Sequence, residues 1–416
     1  MDIYNLVSFV GLFVLMGFAW VLSADRRRMN WRAIGWGVAL QLALGMLVFW
    51  TPGSRDFFHW LNEKVVIVLT AAQEGQRFLF GPLAEADKTG GFVLALQALP
   101  VIIFFAALMG LLYYWRIMPL IVRGFAWVFT RLMRTSGAES LCAASNIFVG
   151  IESATTVRPY LLQMTRSEFC TILTAGMATV ASSTLAIYVL FLGEVFPGIA
   201  GHLISASILS APAAIVMSKI LLPEDGQPLT LGLSVEAHTE REASAIDAII
   251  AGAMAGVKLV VGICALLIAF LGLIALVDLA LGGIGKLVDQ PLSISGLLGY
   301  VFRPFAAVIG VPWKDAVLAG EMLGRRMVAT EIPAYVQLSE AMKAQQFTHP
   351  RSAVVIAYAL CGFAHVASLA IFVGGIAALV PERRKDLAAV GPRALLAATL
   401  ACLMTGAVAG TFFLAR

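Results

Sequence analysis

The sequence predicts an all-α polytopic membrane protein, with about eight transmembrane helices plus two re-entrant helical hairpins arranged as an inverted repeat. Three observations carry that prediction. The 416 residues are 60% hydrophobic and 13% charged, with a mean hydropathy of +0.89, whereas an ordinary soluble domain carries about a quarter charged residues. Runs of the roughly 20 apolar residues that a helix needs to cross the hydrocarbon layer recur along the chain. Two further membrane-length segments contain prolines, glycines and carboxylates that a lipid-facing helix would not carry.

The first apolar run, 3–23, has neither a basic segment before it nor a small-residue cleavage site at its end, so it reads as a retained helix. A second run covers 33–51. Between them lie Arg26, Arg27, Arg28 and Arg32, which put that loop in the cytoplasm by the positive-inside rule and the N-terminus outside. Residues 52–90 are mixed in charge, and the stretch from Phe57 to Phe80 is amphipathic, suited to lying at the interface. A span at 91–115 precedes Arg116, Arg123, Arg131 and Arg134, a second cytoplasmic marker. Further spans fall at 168–192, 199–221, 248–279, 350–380 and 393–414. Residues 222–246 form a polar loop, and Glu382 to Asp386 form a charged cytoplasmic turn. Eight crossings place both termini outside a bacterial-type inner membrane. The chain then divides into scaffold helices and an interfacial helix over 1–134, and a first hairpin, broken helix and following span over 135–222. A cytoplasmic loop (223–246), a scaffold span (247–294), a second hairpin with its broken helix (295–390) and a last span (391–416) complete it.

The formal net charge of +4 is small and forms no basic stripe, which speaks against nucleic acid as a partner. The five cysteines sit singly in apolar stretches, as packed thiols do. No HExxH or clustered metal signature points to an intramembrane enzyme or to a resident cofactor.

The first irregular segment, 137–165, contains Asn146, Gly150, Glu152, Arg158 and Pro159. The second, 300–338, contains Pro304, Gly310, Pro312, Gly320, Glu321, Glu331 and Pro333. Irregular backbone at membrane depth survives where protein or a water-filled cavity satisfies it, so both segments read as re-entrant hairpins. Each is followed by a span with a small-polar interruption, Met177 to Thr184 in one case and Gly362 to Ser368 in the other. Interrupted segments in corresponding halves of a chain point to a transporter site near the midplane. Thr179, Ser182, Ser183, Thr184 and Ser368 offer hydroxyls there, although hydroxyls in membrane helices also bond to their own backbone. Glu152 and Glu331 are expensive within apolar segments and so functional by default. The bland alternative pairs them with Arg158 and Arg325, and Glu321 with Arg325 or Arg326. His365 lies inside the second interruption and reads either as a packing residue or as a titratable one. His59, His202, His238 and His349 fall at span edges or in loops and read as interfacial.

Several motifs make a resemblance visible. They are Ala144 to Gly150, Val157-Arg158-Pro159-Tyr160, Met164 to Glu168, Gly310-Val311-Pro312-Trp313, Ala319-Gly320-Glu321, Glu331, and Cys361-Gly362-Phe363-Ala364. Over essentially the whole chain the sequence resembles the concentrative nucleoside transporter family. That resemblance implies a trimerising scaffold domain, a transport domain that moves against it, and nucleoside uptake driven by sodium or, in some members, protons. It implies a sodium ion held by the Asn146 and Thr179 side chains and the Val149 and Val180 carbonyls. It puts Glu331 and Ser368 on the ribose, with Phe363, Thr184 and Leu259 around the base. The chain departs from the family pattern at three substrate-facing places. Gly150-Ile151-Glu152-Ser153 stands where Gly-Gln-Thr-Glu is common, Thr330 where an asparagine usually precedes Glu331, and His365 where another asparagine is usual. The resemblance therefore implies a nucleoside as cargo without implying which base.

Overall fold

In hydrocarbon a backbone amide has no water to bond to. The described residues accordingly form helices, with a single isolated antiparallel bridge between Ser136 and Leu231. The computed structural model describes the chain apart from residues 1, 52, 86–87, 89–91, 239–241, 288–291 and 415–416. A few side chains inside helices, those of His59 and Ile151 among them, also lie outside the described residues.

Helices α1 (Ile3–Val21) and α2 (Trp31–Trp50) open the chain. Asn30 caps α2 by accepting the Ala33 N–H at 3.1 Å, which ends the arginine loop. Helix α3 (Ser54–Phe80) is continuous for 27 residues but not apolar enough to count as a span, in keeping with its amphipathic pattern. A short turn at Leu94–Gln97 leads into α4 (Val101–Tyr114).

Six elements then occur twice. The first set is α5 (Ile117–Met133), α6 (Gly137–Asn146), a 3-10 helix over Ile151–Gln163, α7 (Arg166–Ala178), α8 (Ser182–Leu192) and α9 (Ile199–Leu221). The long α10 (Ala245–Leu287) intervenes. The second set is α11 (Ile294–Val308), α12 (Ala316–Ala329), α13 (Glu331–Lys343), α14 (Pro350–Leu360), α15 (Val366–Leu379) and α16 (Arg384–Phe412). Each set runs amphipathic helix, hairpin, broken helix, unbroken helix. The described residues contain seven helical stretches long and apolar enough to span, counting α7 and α8 together. The eighth expected crossing, 350–380, is split into α14 and α15, of 11 and 14 residues, each too short alone. Pro304 and Gly310 predict a second hairpin beginning at 300, but it begins at Ala316. Residues 300–308 still belong to α11, and Gly310, at φ +91°, together with Pro312 stops that helix and turns the chain.

The two hairpins enter from opposite sides. At the base of the first, Ser167 Oγ donates to the Leu222 carbonyl at 2.8 Å, and Arg383 Nη1 donates to the Met164 carbonyl at 2.8 Å. These groups lie at the end of α9 and the start of α16, and Ala24, just beyond α1, donates to Leu221 at 3.0 Å. At the base of the second hairpin, Arg351 Nη2 donates to the carbonyls of Tyr4 and Gly410, each at 3.0 Å. Those residues mark the start of α1 and the end of α16. Since each of these helices runs the length of the bundle, the two bases are at its opposite ends, and the repeat is inverted.

Buried charge fixes both bases. Lys219 Nζ lies 2.8 Å from Glu139 Oε2 and 3.6 Å from Glu224 Oε2, and donates to Ser167 Oγ at 3.0 Å. On the other side, Asp315 accepts from Thr348 Oγ1 at 2.7 Å and from Ser352 Oγ at 2.5 Å, while Arg351 reaches Ser8 Oγ at 2.9 Å. Helices α7 and α9, and α16 from Ala397 onward, are almost wholly buried, whereas α10 exposes Ile250, Met254, Val261 and Ile268. The core and its apolar surround are thereby separated, and α10 packs instead on α4 through backbone-close contacts at Gly110, Gly252 and Gly256. The loop after α9 returns to the first hairpin: Gly137 donates to the Thr230 carbonyl at 2.8 Å, Ser136 Oγ and Thr230 Oγ1 are 2.8 Å apart, and His238 donates to the Thr156 carbonyl at 2.8 Å.

Among the histidines expected at the interface, His202 instead turns inward, with Nδ1 3.1 Å from the Tyr358 hydroxyl. His349 caps α14 by accepting the Arg351 N–H at 3.2 Å. The five cysteines are free thiols, four of them buried. Replacing Lys219 by Met leaves the Glu139 charge buried without its partner and is expected to cost about 3–5 kcal/mol. A fall in the melting temperature of the purified protein checks this, and adding Glu139→Gln should recover part of the loss.

Candidate functional site

The four irregular segments meet in the middle of the bundle. The tip after α6 joins the first helix break where Ser182 donates its N–H to the Phe148 carbonyl at 2.9 Å. The two breaks touch at Gly362. A Cβ there would come within 2.7 Å of the Ala178 carbonyl oxygen and 2.6 Å of Cys402 Sγ, and its φ of +151° also favours glycine. Cys402 Sγ reaches both break carbonyls, Ala178 at 3.7 Å and Cys361 at 3.6 Å.

A cavity of about 1340 Å³ opens beside this crossing. One wall comes from the hairpins and breaks: Gly150, Glu152, Thr184, Thr330, Glu331, Phe363, His365 and Ser368. The facing wall comes from α10, with Leu259, Ile263 and Leu267. The cavity continues along α10 to Ala248, about 28 Å from Leu267 at the helical rise, and past Arg116, Arg123, Arg158 and His238. Its mouth therefore lies at the arginine-rich end of the bundle. Of the residues expected at the cargo, Ser153 is absent from the lining. It is buried, and its hydroxyl donates to Asn146 Oδ1 at 2.8 Å, so it supports the asparagine rather than facing the cavity. The Ile151 side chain lies outside the described residues.

Glu331 is the polar centre. It begins α13, where the positive end of the helix favours a carboxylate. Tyr188 donates its hydroxyl to Glu331 Oε1 at 2.8 Å. His365 Nε2 lies 3.1 Å from Oε2, close enough to be an ion-pair contact, but off the angle of a hydrogen bond, so Oε2 keeps an unfilled acceptor beside the cavity. The expected alternative of pairing with Arg325 is not the arrangement found; the groups on Glu331 are Tyr188 and His365. The preceding Thr330 has φ +96°, a conformation that costs a non-glycine residue about 1–3 kcal/mol, and its buried hydroxyl also has no partner among the described residues.

His365 earns its position from the helix break. It is the N-cap of α15: Nδ1 accepts the Ser368 N–H at 3.1 Å, while Ser368 Oγ accepts the His365 N–H at 3.3 Å. With Nδ1 acting as acceptor, the ring proton belongs to Nε2, the nitrogen nearer Glu331. Ser368 spends its own proton on the backbone carbonyls of Phe363 and His365. The hydroxyl therefore presents cargo with an acceptor.

Four groups could hold a cation between the first tip and the first break. Asn146 donates Nδ2 to the Cys142 carbonyl at 3.1 Å, which turns Oδ1 the other way. Thr179 donates to the Ala175 carbonyl at 2.8 Å, leaving the oxygen lone pairs of its hydroxyl available. Ser207 Oγ lies 2.9 Å from the Ile147 carbonyl and 3.4 Å from that of Val180; its single proton serves one well, and the Val180 carbonyl keeps acceptor capacity. Val149 joins the cavity lining. An all-oxygen donor set without carboxylates suits a monovalent hard cation, and among the described residues no His, Cys, Asp and Glu cluster offers a transition-metal site.

Sequence reasoning missed Tyr188, whose ring stacks on Tyr335 with centroids 4.3 Å apart. Tyr335 is itself fixed by donating to the Ala357 carbonyl at 2.9 Å. Nothing in the spacing of an aromatic within an apolar span distinguishes a packing ring from one that holds a carboxylate.

Two hairpin-plus-broken-helix units of opposite orientation, closing on a buried carboxylate beside a cavity, define a multi-pass membrane carrier. The comparisons with known proteins specify which kind. Residues 202–410 match the family model described as "Na+ dependent nucleoside transporter C-terminus", residues 10–83 its N-terminal counterpart, and residues 95–195 a model described as "Nucleoside recognition". The chain is 38% identical to the uncharacterized transporter YutK of Bacillus subtilis, over 97% of its own length and 98% of that protein's. It is 36% identical to the nucleoside permease NupC of Helicobacter pylori, over 98% of each chain. It is also 36% identical to mouse solute carrier family 28 member 3, of whose length it spans 58%. The solved structure of CNTnw in an inward-facing substrate-bound state superposes with a TM-score of 0.90 at 36% identity, covering 98% of both chains. The chain belongs to the concentrative nucleoside transporter family. Tyr188→Phe keeps the ring stack but leaves Glu331 Oε1 without its donor. A loss of about 1–3 kcal/mol is expected, read as a lower melting temperature, and it should be larger than that of the neutral swap Tyr160→Phe.

Proposed function

We propose that this chain imports nucleosides with sodium by alternating access, as a homotrimer in a bacterial-type inner membrane with both termini outside. The observation that carries the reading is Glu331: a buried carboxylate with one oxygen held by Tyr188 and the other left open beside a cavity large enough for a nucleoside. A ribose hydroxyl donates to such an oxygen, and Ser368 Oγ accepts from a second one. Phe363 offers a ring face to the base, and Thr184 and Leu259 bound the remaining space. Glu152 adds a second carboxylate at the first tip.

A neutral nucleoside cannot be concentrated without a coupled gradient. Sodium at Asn146, Thr179, Val149 and Val180 would tie the first tip to the first break, and the same tip contributes Gly150 and Glu152 to the cavity. Binding of one thus organises the wall that receives the other.

Movement is supported by how the cavity is divided. One wall belongs to the inverted repeat and the other to α10, so sliding the first against the second would close one mouth and open another. The mouth in this structure lies at the arginine-rich end, which the positive-inside rule assigns to the cytoplasm. Variants of CNTnw solved in outward-facing and intermediate states match with TM-scores of 0.89 to 0.91.

Uptake by the purified protein in vesicles, driven first by a sodium gradient and then by a pH gradient, tests the reading. Sodium-driven accumulation is expected; uptake that ignores sodium and stops when the pH gradient collapses would replace sodium with protons. Glu331→Gln should abolish accumulation in a folded protein, since an amide offers one acceptor where the carboxylate offers more. Normal transport by that variant would remove Glu331 from the site.

A further inference from the structure

Both broken helices end with carbonyls pointing into the protein interior. The last turn of a helix leaves its C=O groups without intrahelical partners, and that end carries a partial negative charge. Here two such ends, those of α7 and α14, come together at the contact between Ala178 and Gly362. Under the reading proposed above, sodium meets the first of them. The second already has a cation. Arg326, in the last turn of α12, is fully buried, and its Nη1 donates to the Ala359 carbonyl in the last turn of α14 at 2.5 Å.

An arginine kept only for packing would be expected to use its fork of donors. Arg326 does not: among the described residues Nε and Nη2 meet no oxygen acceptor, and the polar group beside them is the weakly accepting Cys402 thiol. A buried guanidinium in that state is costly, so its charge has to matter more than its bonds. The thiol of Cys402 lies beside it, and that same thiol spans the Ala178 and Cys361 carbonyls of the two breaks. The positions also correspond through the repeat. Asn146 lies in the last turn of the first arm of hairpin one, and Arg326 in the last turn of the first arm of hairpin two, from which it reaches the break that follows its hairpin.

We propose that Arg326 is a tethered cation that does for the second repeat what sodium does for the first, so that each nucleoside is carried with a single sodium ion. This rests on the sodium-coupled reading above. Arg326 touches no cargo; it is a positioning residue that neutralises the end of α14 and holds the break from which Phe363 and His365 reach the cavity. It also leaves the second tip, with Glu331 five residues on, electrically balanced toward a neutral ligand.

The test uses the full-length protein in proteoliposomes, with uridine and adenosine as probes. Wild type should take up one positive charge per nucleoside, with a Hill coefficient for sodium of about 1. In Arg326→Ala, the order in sodium of the nucleoside-induced thermal stabilisation should rise toward about 2, or the half-saturating sodium should rise several-fold. Added guanidinium ion should reverse the change, and Arg326→Lys should behave as wild type. A wild type that is sodium-driven but moves two charges per nucleoside would overturn the proposal. So would a folded Arg326→Ala whose sodium order and affinity match wild type. If Arg326→Ala does not fold, the wild-type charge ratio decides alone. A wild type indifferent to sodium is a different result: it removes the sodium-coupled reading itself, and the single-ion inference with it.

Discussion

Unpaired backbone inside a membrane is the constraint around which this protein is organised. Two helices are interrupted in the middle of the bundle, and each interruption exposes N–H groups on one side and carbonyls on the other, with no bulk water at hand to satisfy them. The solutions differ in the two halves. On the donor side of the second break, the His365 ring and the Ser368 hydroxyl cap each other's backbone. On the acceptor side of the breaks stand the Cys402 thiol and the guanidinium of Arg326. Most of the polar groups that make a cargo site possible are thus recruited first as backbone partners, and the cavity is lined by what those partners leave unused.

That ordering explains why so little of the site is idle. Glu331 is oriented by Tyr188, Tyr188 by its stack on Tyr335, and Tyr335 by the Ala357 carbonyl in α14. The chain of contacts leads from the second hairpin to the first broken helix and back to the second. A displacement of either half is therefore felt at the carboxylate. The hairpin bases behave differently. Their buried charges, Lys219 with Glu139 on one side and Arg351 with the carbonyls of Tyr4 and Gly410 on the other, sit at the far ends of the bundle and fix where the tips can start from.

Much of this was legible in the sequence, for identifiable reasons. Apolar runs of membrane length cannot be mistaken when charge is so sparse, and the small-polar interruptions at Met177 to Thr184 and Gly362 to Ser368 broke the runs where the helices break. Glu331 and His365 stood out because a charged or imidazole group in an apolar segment needs a reason. The start of the second hairpin was misplaced because Pro304 sits inside α11 without ending it; the turn is made later, by Gly310 and Pro312. Ser153 was expected at the cargo and instead bonds Asn146, a distinction of which face of a 3-10 helix a residue occupies, which a short polar string does not encode. Tyr188 and Ser207 carried no signal, and Arg326 was read only as a partner for Glu321 where it bonds the Ala359 carbonyl, since each matters through a partner distant in sequence.

The loop that leaves α9 has a mechanical consequence. It is fastened to the first hairpin as far as His238, whose N–H is held by the Thr156 carbonyl, and α10 begins at Ala245. Whatever joins the repeat to α10 on this side must be spanned by the few residues between, and an extended chain reaches at most about 3.3–3.6 Å per residue. His238 and Ala245 can therefore lie no more than roughly 25 Å apart. Any excursion of the cargo site relative to α10 has to fit within that length or tear the fastening, so the loop sets a stroke limit, and lengthening it would be felt as slack rather than as a change in the site.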